Sequence, residues 1–269
     1  MAKGKIIGII SLKGGVGKTS TVANLGSALA AEFGKRVLVV DANFSAPNLG
    51  LHLGIVDPKT TIHDVLLNRA DANDAIYKHD AGFHVMPGAF VSRRINPFQL
   101  KKKIGYLKGY YDVILIDSSP NLNDEMLSTM IASDELYVVT SPDYPTLSTT
   151  LRAVRLAKQR KTPIKGLILN RVRNKKFELR TDEIEEAAQV PVFSVVPEDI
   201  RVAEAIAHTT PVTLHKPRAN ASVEYKKLAG LLIGEPYKDP RIWSRVKGIF
   251  RKKDDAEQIK RFLFEHGPN

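Results

Sequence analysis

The chain has 269 residues, no cysteine and a formal net charge of +11. That length suits one α/β domain with a short appendage. The missing thiols exclude disulfides, thiolate zinc sites, cysteine-held iron–sulfur clusters and a cysteine nucleophile, and they fit an intracellular protein. The excess of Lys and Arg points to an anionic partner, which by charge alone is a nucleotide, a nucleic acid or a lipid surface.

In chain order, β-rich runs alternate with helical patterns. Lys5–Ser11 is an apolar run too short for a signal-peptide core, and it predicts a buried strand. It feeds Leu12-Lys13-Gly14-Gly15-Val16-Gly17-Lys18-Thr19-Ser20, after which a helix is expected over Thr19–Phe33. A strand at Arg36–Asp41 runs into Asp41-Ala42-Asn43. Further strands are predicted at Phe83–Pro87, Asp112–Asp117, Glu135–Thr140, Lys165–Asn170 and Val192–Val196, with helices at Asn121–Ala132, Pro145–Arg160 and Ser222–Ile233. Several strands are apolar nearly throughout, as when both faces are covered. The fold class expected is therefore α/β, a doubly wound, mainly parallel sheet with helices on both faces. Ligands in such sheets bind beyond the carboxyl ends of the strands. The domain is expected to span 1–234, with a linker at 235–240 rich in Pro and charge, and a basic tail at 241–269. No run is long and apolar enough to span a membrane.

Residues 12–20 have the chemistry of a phosphate loop. Glycines let consecutive backbone N–H groups converge on phosphate oxygens, and the following helix presents its positive end to the same charge. Lys18 is placed to reach the β- and γ-phosphates, and Thr19 to offer a hydroxyl to Mg²⁺. The usual pattern wants glycine where Leu12 stands. What fits is the variant K-G-G-x-G-K-[ST], which resembles the MinD/ParA branch of P-loop ATPases, closest to archaeal-type MinD, from residue 5 to about residue 233.

That resemblance implies ATP and Mg²⁺ as cofactors, with Lys13, Gly14, Gly15, Val16, Gly17, Lys18, Thr19 and Ser20 around the phosphates. It also implies an ATP-sandwich homodimer in which Lys13 touches the nucleotide of the other subunit. Lys13, Lys18, Asp41 and Asn43 are the expected catalytic positions, and Thr19, Asp41 and Asp117 the metal side. Asp117 closes Ile114-Leu115-Ile116-Asp117-Ser118-Ser119-Pro120, which resembles the family's second switch. Asn170, Arg171, Pro197, Glu198 and Asp199 resemble its adenine-side segments, and the Asn170 amide can donate to and accept from a base edge. One departure stands out. Family members usually carry Asp-x-Asp where this chain has Asp41-Ala42-Asn43. An amide can position water but cannot take its proton, so slow hydrolysis and long-lived ATP dimers are expected; read instead as a turn residue, Asn43 carries no such consequence.

In the tail, Ile242, Trp243, Val246, Ile249 and Phe250 share one helical face, and the basic residues of 241–253 occupy the rest. Each buried large side chain contributes about 1.5–3 kcal/mol and each basic group about 1 kcal/mol near anionic lipid, less the cost of ordering. Two such helices on one ATP dimer gain effective concentration. The tail has a second reading, docking on its own domain. Asp254-Asp255 begins a further helical pattern with Ile259, Phe262 and Leu263 in one stripe. The expected function is a MinD-like switch, peripheral on the cytoplasmic face of the membrane, that positions cellular machinery with an activator or cargo protein. The alternative is a ParA-like partition ATPase holding DNA through Arg171, Arg173, Lys175, Lys176 and Arg180. A metabolic ligase or kinase would need a substrate-domain signature, which the sequence lacks.

Overall fold

The computed structural model describes residues 4–90 and 95–239, so the tail face from Ile242 to Phe250 lies outside the described residues. The chain divides into two compact units, Met1–Glu235 and Pro236–Asn269. The first is built on eight strands: β1 Lys5–Ile10, β2 Val37–Ala42, β3 Tyr77–Lys78, β4 His84–Met86, β5 Val113–Ser118, β6 Glu135–Thr140, β7 Ile164–Val172 and β8 Val192–Pro197. The helices are α1 Lys18–Ala31, α2 Leu49–His52, α3 Ile62–Leu66, α4 Leu100–Ile104, α5 Asp124–Ala132, α6 Tyr144–Gln159, α7 Thr181–Ala188, α8 Ile200–Ala207, α9 Val212–His215 and α10 Asn220–Ile233.

The strands form one sheet in the order β3-β4-β2-β5-β1-β6-β7-β8. Every pairing is parallel except β3 with β4. Pleating sends alternate side chains of β1 to opposite faces. Ile7 and Ile9 join Val39, Leu115 and the α1 and α10 residues Leu25, Leu29, Leu228 and Leu232. On the other side, Ile6 packs with Leu38, Val40, Ile114, Ile62 and Leu100, while Ile10 packs with Val138, Leu167, Met126 and Met130. Both faces of the central strands are covered, which is why they read as unbroken apolar runs.

β7 runs two residues past its predicted end, to Val172, after a register irregularity beyond Leu169. The two-residue β3 and the helices α2, α3, α4, α7, α8 and α9 have no counterpart in the predicted elements, because runs of two to eight residues show too little of a period to be recognised. Among the described residues no helix is long and apolar enough to cross a membrane.

β1 sits where the winding reverses. After β1 the chain passes to β2 and β4 on one side, returns to β5, then crosses to β6, β7 and β8 on the other. The loop leaving β1 therefore opens at the switch point of the sheet, where doubly wound folds hold their ligands.

Candidate nucleotide site

Between β1 and α1 the backbone takes a conformation that only glycine adopts freely. Gly15 and Gly17 have φ of 77° and 95°, and Gly17 is the N-cap of α1, with no side chain capping it. A Cβ at Gly14 or Gly15 would meet nothing within 4 Å, so the outer side of the loop is open. The inner side is braced. Asn170 at the end of β7 donates its Nδ2–H to the Val16 carbonyl at 2.8 Å, and a Cβ on Gly17 would lie 2.3 Å from that nitrogen.

Lys18, on the first turn of α1, is buried. Burial depresses its pKa, and the negative charge of Asp117 offsets part of that effect. Thr19 donates its hydroxyl to Asp117 Oδ2 at 2.6 Å and lies 3.3 Å from Asn48 Oδ1. Parallel pairing of β2 with β5 sets Asp41 directly beside Asp117, both 1% exposed. Burial, reinforced by Asp117, pushes Asp41 up to about 7, against backbone N–H bonds from Leu49, Asn43 and Asn48. Burial likewise raises Asp117 to about 6, while the Lys18 charge and the Thr19 hydroxyl pull it down. Asp117 Oδ1 is buried without a hydrogen-bond partner. Such an oxygen is costly unless a cation meets it. Two aligned carboxylates, an orphaned oxygen and a neighbouring hydroxyl form a hard-oxygen set that fits Mg²⁺.

The segment after β2 is held from several sides. Asn43 donates its Nδ2–H to the Ala46 carbonyl at 2.6 Å, and its backbone N–H to Asp41 Oδ1. Ser45 donates to Glu125 on α5, whose other carboxylate oxygen is buried and unpaired. Buried His63 contacts the Phe44 carbonyl through Nε2 at 3.0 Å and accepts the Ala89 N–H on Nδ1 at 3.2 Å, which defines a neutral tautomer. Burial lowers its pKa accordingly. Glu125 and His63 are not identifiable from the sequence: their partners Ser45 and Phe44 are 80 and 19 positions away and no local motif marks them.

Lys13 is engaged with the start of α6. Its ammonium pairs with Asp143 Oδ1 at 3.2 Å and donates to Thr146 Oγ1 at 2.5 Å. Asp143 caps α6 by accepting the Thr146 N–H. Burial raises its pKa, but the Thr146 and Ser141 hydroxyls, the Thr146 amide and Lys13 together outweigh that and hold it at about 2.

The other sequence-derived positions lie at the carboxyl ends of β7 and β8. Asn170 faces the phosphate loop with its donor side, as described. Arg171 is exposed, with φ of 59°. Pro197 ends β8, Glu198 pairs with Arg173 at 2.9 Å, and Asp199 caps α8 by accepting the Arg201 N–H. Glu198 and Asp199 are thus engaged with neighbours, and Ser20 follows Thr19 on α1, partly buried.

Against known families, residues 7–212 match the model described as the CobQ/CobB/MinD/ParA nucleotide binding domain. The chain belongs to the MinD/ParA family. An uncharacterised ATP-binding protein of Methanocaldococcus jannaschii is 37% identical over 258 residues, covering 92% of this chain and 97% of that one. Among solved structures, the cell division ATPase MinD of Pyrococcus furiosus superposes with a TM-score of 0.82 at 34% identity, covering 86% of this chain and 99% of that one. The MinD of Pyrococcus horikoshii, solved with Mg-ADP, gives 0.81 at 35% identity over 85% and 95%. With this membership the open phosphate loop, buried Lys18 and paired aspartates are those of a MinD/ParA-family ATPase.

Proposed function

We propose that this protein is a MinD-like ATPase switch. It binds MgATP in the loop at 12–20, forms an ATP-sandwich homodimer, associates reversibly with an anionic membrane through its tail, and so positions cell-division or other machinery. The observation that carries the reading is the cluster of Lys18, Thr19, Asp41 and Asp117 around one orphaned carboxylate oxygen at the switch point of the sheet.

The residues divide the work. The N–H groups of Gly14 to Lys18 and the N-terminus of α1 hold phosphate oxygens, and the buried Lys18 ammonium recovers there the solvation it lacks. Thr19, Asp41 and Asp117 would hold Mg²⁺, and the ion would neutralise charge on the phosphates. One Nδ2–H of Asn43 is committed to Ala46, which leaves its second N–H and its carbonyl oxygen to orient a water. That oxygen accepts a hydrogen bond but removes no proton, hence slow hydrolysis. Lys13 exchanges its own Asp143 for the partner's nucleotide when the dimer forms.

A ParA-like DNA reading rests on the exposed basic stretch 171–180, but Arg173 and Arg180 there already pair with Glu198 and Asp182. Co-sedimentation with anionic vesicles, with ATP or ADP and with residues 241–269 deleted, decides between them when repeated on duplex DNA at two salt concentrations. ATP-enhanced, tail-dependent vesicle binding supports the membrane switch. Salt-sensitive DNA binding that survives the deletion, without vesicle binding, moves the function to partition.

A further inference from the structure

Away from the phosphate loop, Glu204, His208 and His215 bring one carboxylate oxygen and two imidazole nitrogens within 4.8 Å of one another. Glu204 and His208 are four residues apart, on one face of α8 and its C-cap, while His215 ends α9. The imidazoles stack at 5.0 Å between centroids with an interplanar angle of 28°, and His215 Nε2 lies 3.3 Å from Glu204 Oε1. The sequence shows no metal motif here, because His215 comes from a separate helix.

We propose that this cluster is a regulatory site for a divalent transition ion of the Zn²⁺ class. Two imidazoles and a carboxylate with room for water are a common Zn²⁺ donor set and a poor one for Mg²⁺ or Ca²⁺, which prefer oxygen. Glu204 and His208 are exposed, so small side-chain rotations suffice to close the donors to coordination distance. The Lys216 ammonium, 3.4 Å from Glu204 Oε1, is the group an ion displaces.

The site spans elements that bear on the nucleotide pocket. α8 starts at its cap Asp199, two residues past the end of β8. α9 is tied to α1 through Thr213, whose N–H and hydroxyl both meet Asn24 Oδ1, at 3.0 and 3.2 Å. An ion bridging α8 and α9 therefore joins the end of β8 to the helix that follows the phosphate loop. It would stiffen the pocket without touching nucleotide.

The test is Zn²⁺ titration of the full-length protein, stripped with chelator and held in excess Mg²⁺, read by calorimetry and by thermal shift. One equivalent is expected to bind and raise the Tm. The double variant His208→Gln/His215→Gln and the single variant Glu204→Gln should each bind at least about tenfold more weakly, with unchanged Tm in chelator showing that the fold is intact. Lys216→Ala should bind more tightly, since the competing ammonium is gone. No saturable equivalent in the wild type, or one that persists undiminished in both Glu204→Gln and the double variant, overturns the site.

Discussion

On the slow-switch reading, Asn43 places an amide where a carboxylate would serve hydrolysis better, and the local hydrogen bonds suit the amide. A carboxylate there would turn an oxygen toward the Ala46 carbonyl that Nδ2 now meets at 2.6 Å. Asn43→Asp should therefore raise kcat for phosphate release by at least about tenfold, short of the 10²–10⁴ typical of a full general base, while lowering the Tm slightly. Steady-state phosphate release with excess MgATP measures this, and unchanged turnover would refute the slow-switch reading. The Asp41–Asp117 pair shows the opposite compromise. Both carboxyls are raised in the fold, to about 7 and about 6, from about 4 in the unfolded chain. Between those values the native state holds the extra protons, so the pair's contribution to stability declines as pH rises through that window. Buried histidines such as His63, whose pKa is lowered, act in the other direction, losing stability as pH falls through about 6.5. The informative quantity is thus a difference between proteins. In chelator at pH 8, Asp117→Asn should be more stable than wild type by on the order of 2 kcal/mol, with the gap closing toward pH 5 and the variant's gain from MgADP lost. Thermal melts across that range decide it; a variant less stable than wild type at pH 8 would show that the Lys18 and Thr19 contacts outweigh the buried charge.

At the scale of elements, the start of α6 holds Lys13 in its own chain. The Lys13 and Asp143 side chains are each about 40% exposed, and ion pairs of that kind are worth about 0–1 kcal/mol. On the proposed reading, such a latch would set a threshold for the exchange of Asp143 for a partner's nucleotide without blocking it. Asp143→Asn keeps an N-cap acceptor for Thr146, so α6 should hold its stability, while Lys13 loses its charge partner. The expected result is ATP-dependent dimerisation at up to about fivefold lower protein concentration, measured by light scattering after size exclusion. Weaker dimerisation with an unchanged Tm would mean that Asp143 supports the dimer. The latch also marks a limit of sequence reading. Lys13 is legible as part of the glycine-rich motif, and Asp41 and Asp117 as acids closing apolar strands. Asp143, 130 positions from Lys13, is indicated by nothing local. The Asn170 amide suits a base edge, a role legible from its residue type. Its contact with Val16 depends on β7 lying two strands from β1, a register that only the folded sheet supplies.

At the scale of the molecule, the groups described around the phosphate loop, Lys13, Lys18, Thr19, Asp41, Asp117 and Asn170, belong to the first unit, Met1–Glu235. β1, β2 and β5 bring Ser11, Asp41 and Asp117 to one edge, and core clusters on both faces of the sheet lock those strands in place. Nucleotide binding should therefore be coupled to the whole of this unit. A hundredfold excess of MgADP over Kd adds about 2.7 kcal/mol, which for a domain of this size is a rise of about 5–10 °C in Tm. A chain ending at residue 235 should show the same shift in a single cooperative transition, because it retains the switch point and both layers of helices. If truncation halves the shift or splits the transition, residues 236–269 take part in the nucleotide fold, and the tail could not then be a separate device that reads the nucleotide state only through dimerisation.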